Sequence, residues 1–140
     1  MKPLNHKEVE ELFLNQLGQK VRAEDYSYVI RPISWYWKEP FLGLKRYPYI
    51  KEKCDCDNRC TILKKEWLDR HLKTKSAEAL PVFMVKARMN NITGDNKNHW
   101  FMAVVVDEGV GLNIRFLERV EKHIVIVSAH TIDEIYRIHI

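Results

Sequence analysis

His99-Trp-Phe-Met-Ala-Val-Val-Val-Asp107 is the stretch that decides the fold. Its middle is a run of apolar residues ending in three valines, too short for a helix of ordinary length and without the alternation of a half-exposed strand. A strand apolar on both faces sits inside a sheet, so residues 99–107 are expected to be a central strand. Working outward, Val82 to Met89 reads as a strand, and the polar run from Asn90 to Asn98 (NNITGDNKN) reads as the hairpin connection between the two. On the other side, Glu108-Gly109 and Gly111 make a turn into further strands over Leu112 to Leu117 and His123 to Ala129. Thr131 and Glu134 stand at capping-box spacing, which predicts a short terminal helix from Thr131 to Ile138.

The first half is expected to be more helical. Val9, Leu12, Phe13 and Leu17 recur at helical spacing, with Asn5 and Glu8 as a capping box and Gly18 as the stop, so a helix is predicted from Asn5 to Gly18. Tyr26 to Ile33 reads as a strand ending at Pro32, residues 34–48 as an irregular loop punctuated by Pro40, Gly43 and Pro48, and Tyr49 to Cys54 as a short strand. A second helix is predicted from Ile62 to about Lys75, with Leu63, Trp67, Leu68 and Leu72 inward and Lys64, Lys65 and Asp69 outward. The order gives an α/β (α+β) architecture, a single mixed β-sheet flanked by helices, in one domain spanning 1–140.

Composition narrows the class without naming an activity. The 140 residues carry 23 Lys+Arg and 19 Asp+Glu, with 46% apolar and 30% charged residues, the make-up of a folded globular chain rather than a disordered one. No apolar run approaches the ~20 residues needed to span a bilayer, and no basic-then-apolar segment opens the chain. Secretion, membrane insertion and a disulfide scaffold are therefore not expected, and a cytoplasmic location is (the host cytoplasm, were the chain phage-encoded).

Charge and aromatics are unevenly placed. Residues 31–75 hold 12 Lys/Arg against 6 Asp/Glu, and eight of the 15 aromatics lie between Tyr26 and Tyr49. Basic residues interleaved with aromatics suit a surface that meets phosphates and stacks on bases. This makes Arg31, Lys38, Lys45, Arg46, Lys51, Lys64 and Lys65 candidate nucleic-acid contacts, with DNA the expected partner and a homodimer left open. The competing reading places Trp35, Tyr36, Trp37, Phe41, Tyr47 and Tyr49 in the core or at an interface, with a solvated cationic rim.

All three cysteines fall within Cys54-Asp-Cys56-Asp-Asn-Arg-Cys60. Reduced thiolates this close could form a zinc corner, with His71 as fourth ligand, although the spacing is not that of paired Cys-x-x-Cys knuckles. Asp55 and Asp57 are hard oxygen donors better suited to Mg²⁺. The alternative is three thiols in a turn at a strand end. The histidines at 6, 71, 99, 123, 130 and 139 show no i, i+4 pair and read as surface or packing residues. There is no nucleophile elbow and no glycine-rich phosphate loop. Asn91-Ile92-Thr93 has the form of a glycosylation acceptor, which an unexported chain would not have modified.

Four segments taken together, Tyr49-Ile-Lys-Glu-Lys-Cys54, Thr61-Ile-Leu-Lys-Lys-Glu-Trp-Leu68, Ala79-Leu-Pro-Val-Phe-Met-Val-Lys86 and His99 to Asp107, resemble the small PD-(D/E)XK nucleases of phages and archaea, the Holliday-junction-resolvase-like group. The resemblance covers roughly 49–107 and is most specific over Leu63 to Leu68. It implies a restriction-endonuclease-like scaffold and Mg²⁺-dependent cleavage of branched or duplex DNA, the metal activating water and stabilising the leaving oxygen. On that mapping Glu52 takes the strand acid's place, with Asp55 or Asp57 as a further Mg²⁺ ligand and Glu11 as the helix acid. The motif's lysine position is Cys54; Lys53 is one place short and on the opposite face, so the charge facing the phosphate would come from Lys53 or from Lys64 or Lys65 on the following helix. The motif's Asp has no counterpart between Pro40 and Lys51, and Asp25 is far upstream. A relative that binds nucleic acid without cleaving it, and a protein-binding module using Trp35-Tyr36-Trp37 as its anchor, are the two other readings.

Overall fold

The structure is a computed structural model that describes residues 2–38, 56–90, 98–120 and 123–139. Strand β1 (Leu4–Asn5) leads into helix α1 (His6–Leu17), followed by β2 (Ser27–Tyr28), the short helix α2 (Ile33–Tyr36) and helix α3 (Cys56–Leu72). Strands β3 (Val82–Met89), β4 (Asn98–Asp107), β5 (Leu112–Val120) and β6 (His123–Ile126) come next, and a 3-10 turn at Ala129–Thr131 precedes β7 (Ile132–His139). The architecture is α+β. β1 and β2 form a two-stranded sheet, and the other strands form a five-stranded sheet in the order β6-β5-β4-β3-β7. Every ladder in it is antiparallel, where a mixed sheet was expected; among the described residues parallel pairing is confined to isolated bridges at Tyr28–Ala79 and Arg31–Val106. No helix among the described residues is long and apolar enough to cross a membrane.

β4 is the middle strand of five, and Phe101 to Val106 are wholly buried, as the two-sided apolar run dictates. Alternation along the strands sends Phe101, Ala103 and Val105, with Phe83, Val85 and Ala87, to one face. There they meet Val9 and Phe13 of α1, and Phe13 and Phe83 pack edge to face at 4.8 Å. Met102, Val104 and Val106, with Val82, go to the other face and meet Cys60, Leu63 and Trp67 of α3 and Tyr36 of α2. The sheet is thus covered by α1 on one side and by α2 and α3 on the other.

α1 starts and stops where its sequence says. The Asn5 side chain accepts from the Glu8 N–H at 2.9 Å, Glu8 accepts from the Asn5 N–H at 3.2 Å, and Gly18 takes φ +66 at the C-terminal end. α3 differs from expectation at its start and in its rotation. It begins at Cys56, and its buried stripe is Cys60, Leu63, Trp67 and His71; Leu68 and Leu72, expected inward, are exposed.

Two further expectations are corrected. The strand predicted over Tyr26 to Ile33 has a ladder only at Ser27–Tyr28, and after Pro32 the chain turns into α2 rather than a loop. The terminal helix predicted over Thr131 to Ile138 is strand β7. Ile132, Ile135 and Ile138 stand opposite Met89, Ala87 and Val85, and the register shifts twice between them, leaving Asp133 and Tyr136 as extra residues. Two β-bulges convert a period of two into a period of three, which in one dimension imitates a helix face.

Candidate binding groove

Backbone pairing brings three segments together. Val29 N–H donates to the Ala79 carbonyl and Ala79 N–H to the Ser27 carbonyl, both at 2.9 Å, which ties the chain leaving α3 to β2. The Asp25 N–H donates to the hydroxyl of the buried Tyr28 at 3.0 Å and fixes the turn before it. Burial raises the Tyr28 phenol above its ordinary pKa, so the hydroxyl stays neutral. Lys64, Leu68, His71 and Leu72 recur at i, i+4, i+7 and i+8 and form one stripe of α3. Between them lies a groove of about 620 Å³, lined by Asp25, Tyr26, Ser27, the Lys64 stripe and residues Ser76 to Leu80.

The groove combines an apolar rim with charges. Tyr26 and Leu72 project from it at 84% and 79% exposure. Glu78 is held below the usual carboxylate pKa, first by the Ser76 hydroxyl, which donates to it at 2.5 Å, and then by backbone N–H groups. Lys64 is half-buried, and that desolvation pulls its pKa below the ordinary value; Asp25 pulls it back only in part and forms no ion pair with it. The ion pair Lys65–Asp69 at 2.8 Å lies outside on the exposed side of α3.

His71 links the groove to a cationic cluster. Its Nδ1 faces Arg31 Nη2 at 3.3 Å, and its Nε2 faces the Glu78 carbonyl at 2.6 Å. Arginine only donates, so Nδ1 accepts and Nε2 carries the proton that it donates to Glu78. Both nitrogens are committed. The guanidinium groups of Arg31 and Arg70 stand 5.2 and 5.1 Å from the centre of the Trp35 ring. Arg70 donates to the Trp35 carbonyl at 2.5 Å and to the Lys38 carbonyl, and Trp67 Nε1 donates to the Tyr36 carbonyl at 2.7 Å, so α3 holds residues 35–38 by their backbone. Arg31 is half-buried, its Nε has no hydrogen-bond partner, and no carboxylate pairs with it among the described residues.

The sequence-predicted site residues are thereby distributed. Arg31, Lys38 and Lys64 are brought to the α2–α3 side. Glu11 is exposed on α1, across the sheet from Lys64, so the helix acid and the helix lysine are not brought together. Glu52, Lys53, Lys45, Arg46, Lys51, Cys54 and Asp55 lie outside the described residues, as does the strand expected over Tyr49 to Cys54; the side chains of Cys56 and Asp57 do too. Cys60 and His71 are eleven residues apart on one helix, about 16 Å along its axis, and cannot share a tetrahedral ion. A zinc site joining them does not fit. Tyr36, expected in an exposed aromatic anchor, is fully buried, packed edge to face on Trp35 and Trp67. Trp37 alone of the three projects, at 38% exposure.

Tyr26, Ser76 and Glu78 were not anticipated as site residues. Their place depends on the parallel bridge at Tyr28–Ala79, a contact between segments some fifty residues apart that no local pattern announces. Set against family models, curated proteins and solved structures, the chain finds no match in any of the three.

Proposed function

We propose that the protein binds nucleic acid through the α2–α3 side of the sheet. The observation that carries this reading is a pair of half-buried cations, Arg31 against His71 and Lys64 in the groove that His71 also lines, neither of them in an ion pair among the described residues. Removing a cation from water without a partner is costly, and a phosphate that meets Lys64 at the groove, or Arg31 beyond His71, offsets that cost against the repulsion of the Asp25 and Glu78 carboxylates in the groove lining. The exposed Tyr26 ring at the rim gives a base a surface to stack on. The reading keeps the partner that the basic and aromatic composition suggested. It assigns no cleavage: Glu11 and Lys64 stand on opposite faces, and an antiparallel sheet is not the mixed sheet expected of a restriction-endonuclease-like scaffold.

Fluorescence anisotropy with labelled duplex, single-stranded and branched DNA and with RNA, titrated from ~50 to ~200 mM salt, tests it. Binding should weaken steeply with salt. Lys64→Met should weaken it across unrelated sequences and reduce the salt slope by about one, with Lys64→Arg restoring most of the loss. Absence of binding to every probe at ~50 mM salt removes the reading.

A further inference from the structure

α3 covers only part of its face of the sheet. Met102, Val104, Val106 and Leu117 lie beneath it, whereas the row one step along β4 and β3 does not belong to the buried core. In that row Lys86 stands opposite Trp100 on one side and opposite Arg137 on the other. In the adjacent row Met84 stands between Met102 and His139. The rings of Trp100 and His139 stack at 5.7 Å and 17°, and the Lys86 ammonium lies 5.9 Å from the Trp100 ring centre. Trp100, His139 and Lys86 are half-buried and Arg137 is exposed. Arg119, two residues beyond Leu117 on β5, continues the same face opposite Ile124.

Among the described residues the charge of this row is uncompensated. The nearby carboxylates of Asp133 and Glu134 pair with Arg88, at 3.6 and 4.0 Å, and Glu118 pairs with His99. Among the described residues neither Lys86 nor Arg137 joins an ion pair. A stacked, half-exposed indole–imidazole pair set between cations on an antiparallel sheet has two complementary needs, a π face and a phosphate. An unpaired nucleotide meets both, whereas a duplex hides the faces of its bases in its own stack.

We infer that this part of the sheet, which α3 leaves uncovered, is a platform for single-stranded nucleic acid. A base continues the Trp100–His139 stack, and the flanking phosphates meet Lys86 and Arg137. The inference rests on the nucleic-acid reading above and adds the strand class and a second contact surface, separate from the Lys64 groove.

The test is anisotropy of the full chain with a labelled single strand of about 12 nucleotides and with the matching duplex. Two variants are compared, Trp100→Leu and the double variant Lys86→Ser with Arg137→Ser, the latter at positions outside the buried core; thermal melting confirms that each is folded. The wild type should prefer the single strand. Trp100→Leu should lower single-strand affinity roughly tenfold with little change for duplex. The double variant should reduce the single-strand salt slope by about 1.4, for two phosphates at ~0.7 each. Equal or tighter duplex binding by the wild type, or single-strand affinity unchanged in the folded double variant, overturns the platform and leaves the nucleic-acid reading standing. A wild type that binds neither probe removes both.

Discussion

On the α1 side of the sheet, Phe83, Val85, Ala87, Phe101, Ala103 and Val105 meet Val9 and Phe13, and the half-buried His99 and Glu118 on that face pair with each other. On the α3 side the sheet is equally apolar beneath Leu63 and Trp67, but the helix stripe ends in a buried histidine. Arg31, Lys64, Lys86 and Arg137 stand around that packed centre without carboxylates to pair with among the described residues. The two faces share strands and burial, so the difference is not one of stability demand. A sheet needs two covered faces to fold; it does not need half-desolvated cations around one of them. Arg31, Lys64 and Lys86, half-buried as they are, cost stability, whereas the exposed Arg137 does not, and that cost is the physical reason for proposing ligand binding on the α3 side.

Cutting into each core is the largest test of this contrast. Phe13→Ala removes a wholly buried ring and should cost ~3–5 kcal/mol by denaturant midpoint, with affinity for nucleic acid per folded molecule unchanged. Trp67→Phe removes less volume but leaves the buried Tyr36 carbonyl without its donor, which should cost ~1–3 kcal/mol. Because that bond helps anchor residues 35–38, affinity should fall as well. Equal effects of the two variants on binding would erase the distinction between the faces.

Local signals in the sequence were legible wherever the structure is decided locally. The Asn5–Glu8 box and Gly18 delimit α1, the two-sided apolar run places β4 at the centre, and Val82–Met89 is a strand over the whole predicted range. What was not legible depends on partners far away in the chain. The bulges at Asp133 and Tyr136 exist only against β3, so the isoleucine spacing in β7 looked helical. On α3, Leu68 and Leu72 read as core because leucine commonly is, whereas the buried positions went to Cys60 and His71. His71 is buried there because Arg31 and the Glu78 carbonyl satisfy both its nitrogens. The candidate groove was legible in part: Lys64 and the basic, aromatic segment were singled out, but the approach of Asp25 and Glu78 comes from the Tyr28–Ala79 bridge.

The capping box sharpens the comparison at intermediate size. Asn5→Ala removes the acceptor for the Glu8 N–H and should cost ~1 kcal/mol, again without effect on binding, since α1 is on the other face. Glu108→Gln probes a cation on the α3 side that does have a partner. Arg115 donates to both Glu108 oxygens, at 2.8 and 3.0 Å, and holds that carboxyl below its usual range. A carboxyl depressed on folding adds stability above its unfolded pKa and loses it as pH falls through the folded value. The wild type should therefore exceed Glu108→Gln by a few tenths of a kcal/mol at neutral pH, and the gap should close in acid. A gap that persists unchanged at low pH would mean that the charge of Glu108 is not its source.

Lys64 gives the smallest stability effect, and one of opposite sign. Its ammonium is lowered from the ordinary pKa of 10.5, first by burial and against the pull of Asp25. A lysine with a depressed folded pKa binds its proton less tightly in the fold than in the unfolded chain. The fold therefore carries the cost of the charge at neutral pH, and stability rises as pH climbs from the folded value to that of the unfolded chain. Lys64→Met, which keeps the chain length and removes the charge, should leave the protein as stable as the wild type at pH 7 or a few tenths of a kcal/mol more so. The difference should shrink above pH 10.5, where both states of the wild-type lysine are neutral. The same variant is expected to weaken nucleic-acid binding, so the two readouts move in opposite directions. A loss of ~1 kcal/mol or more at pH 7 would make Lys64 a structural residue of the α3 side, and its effect on binding would then say nothing about a phosphate.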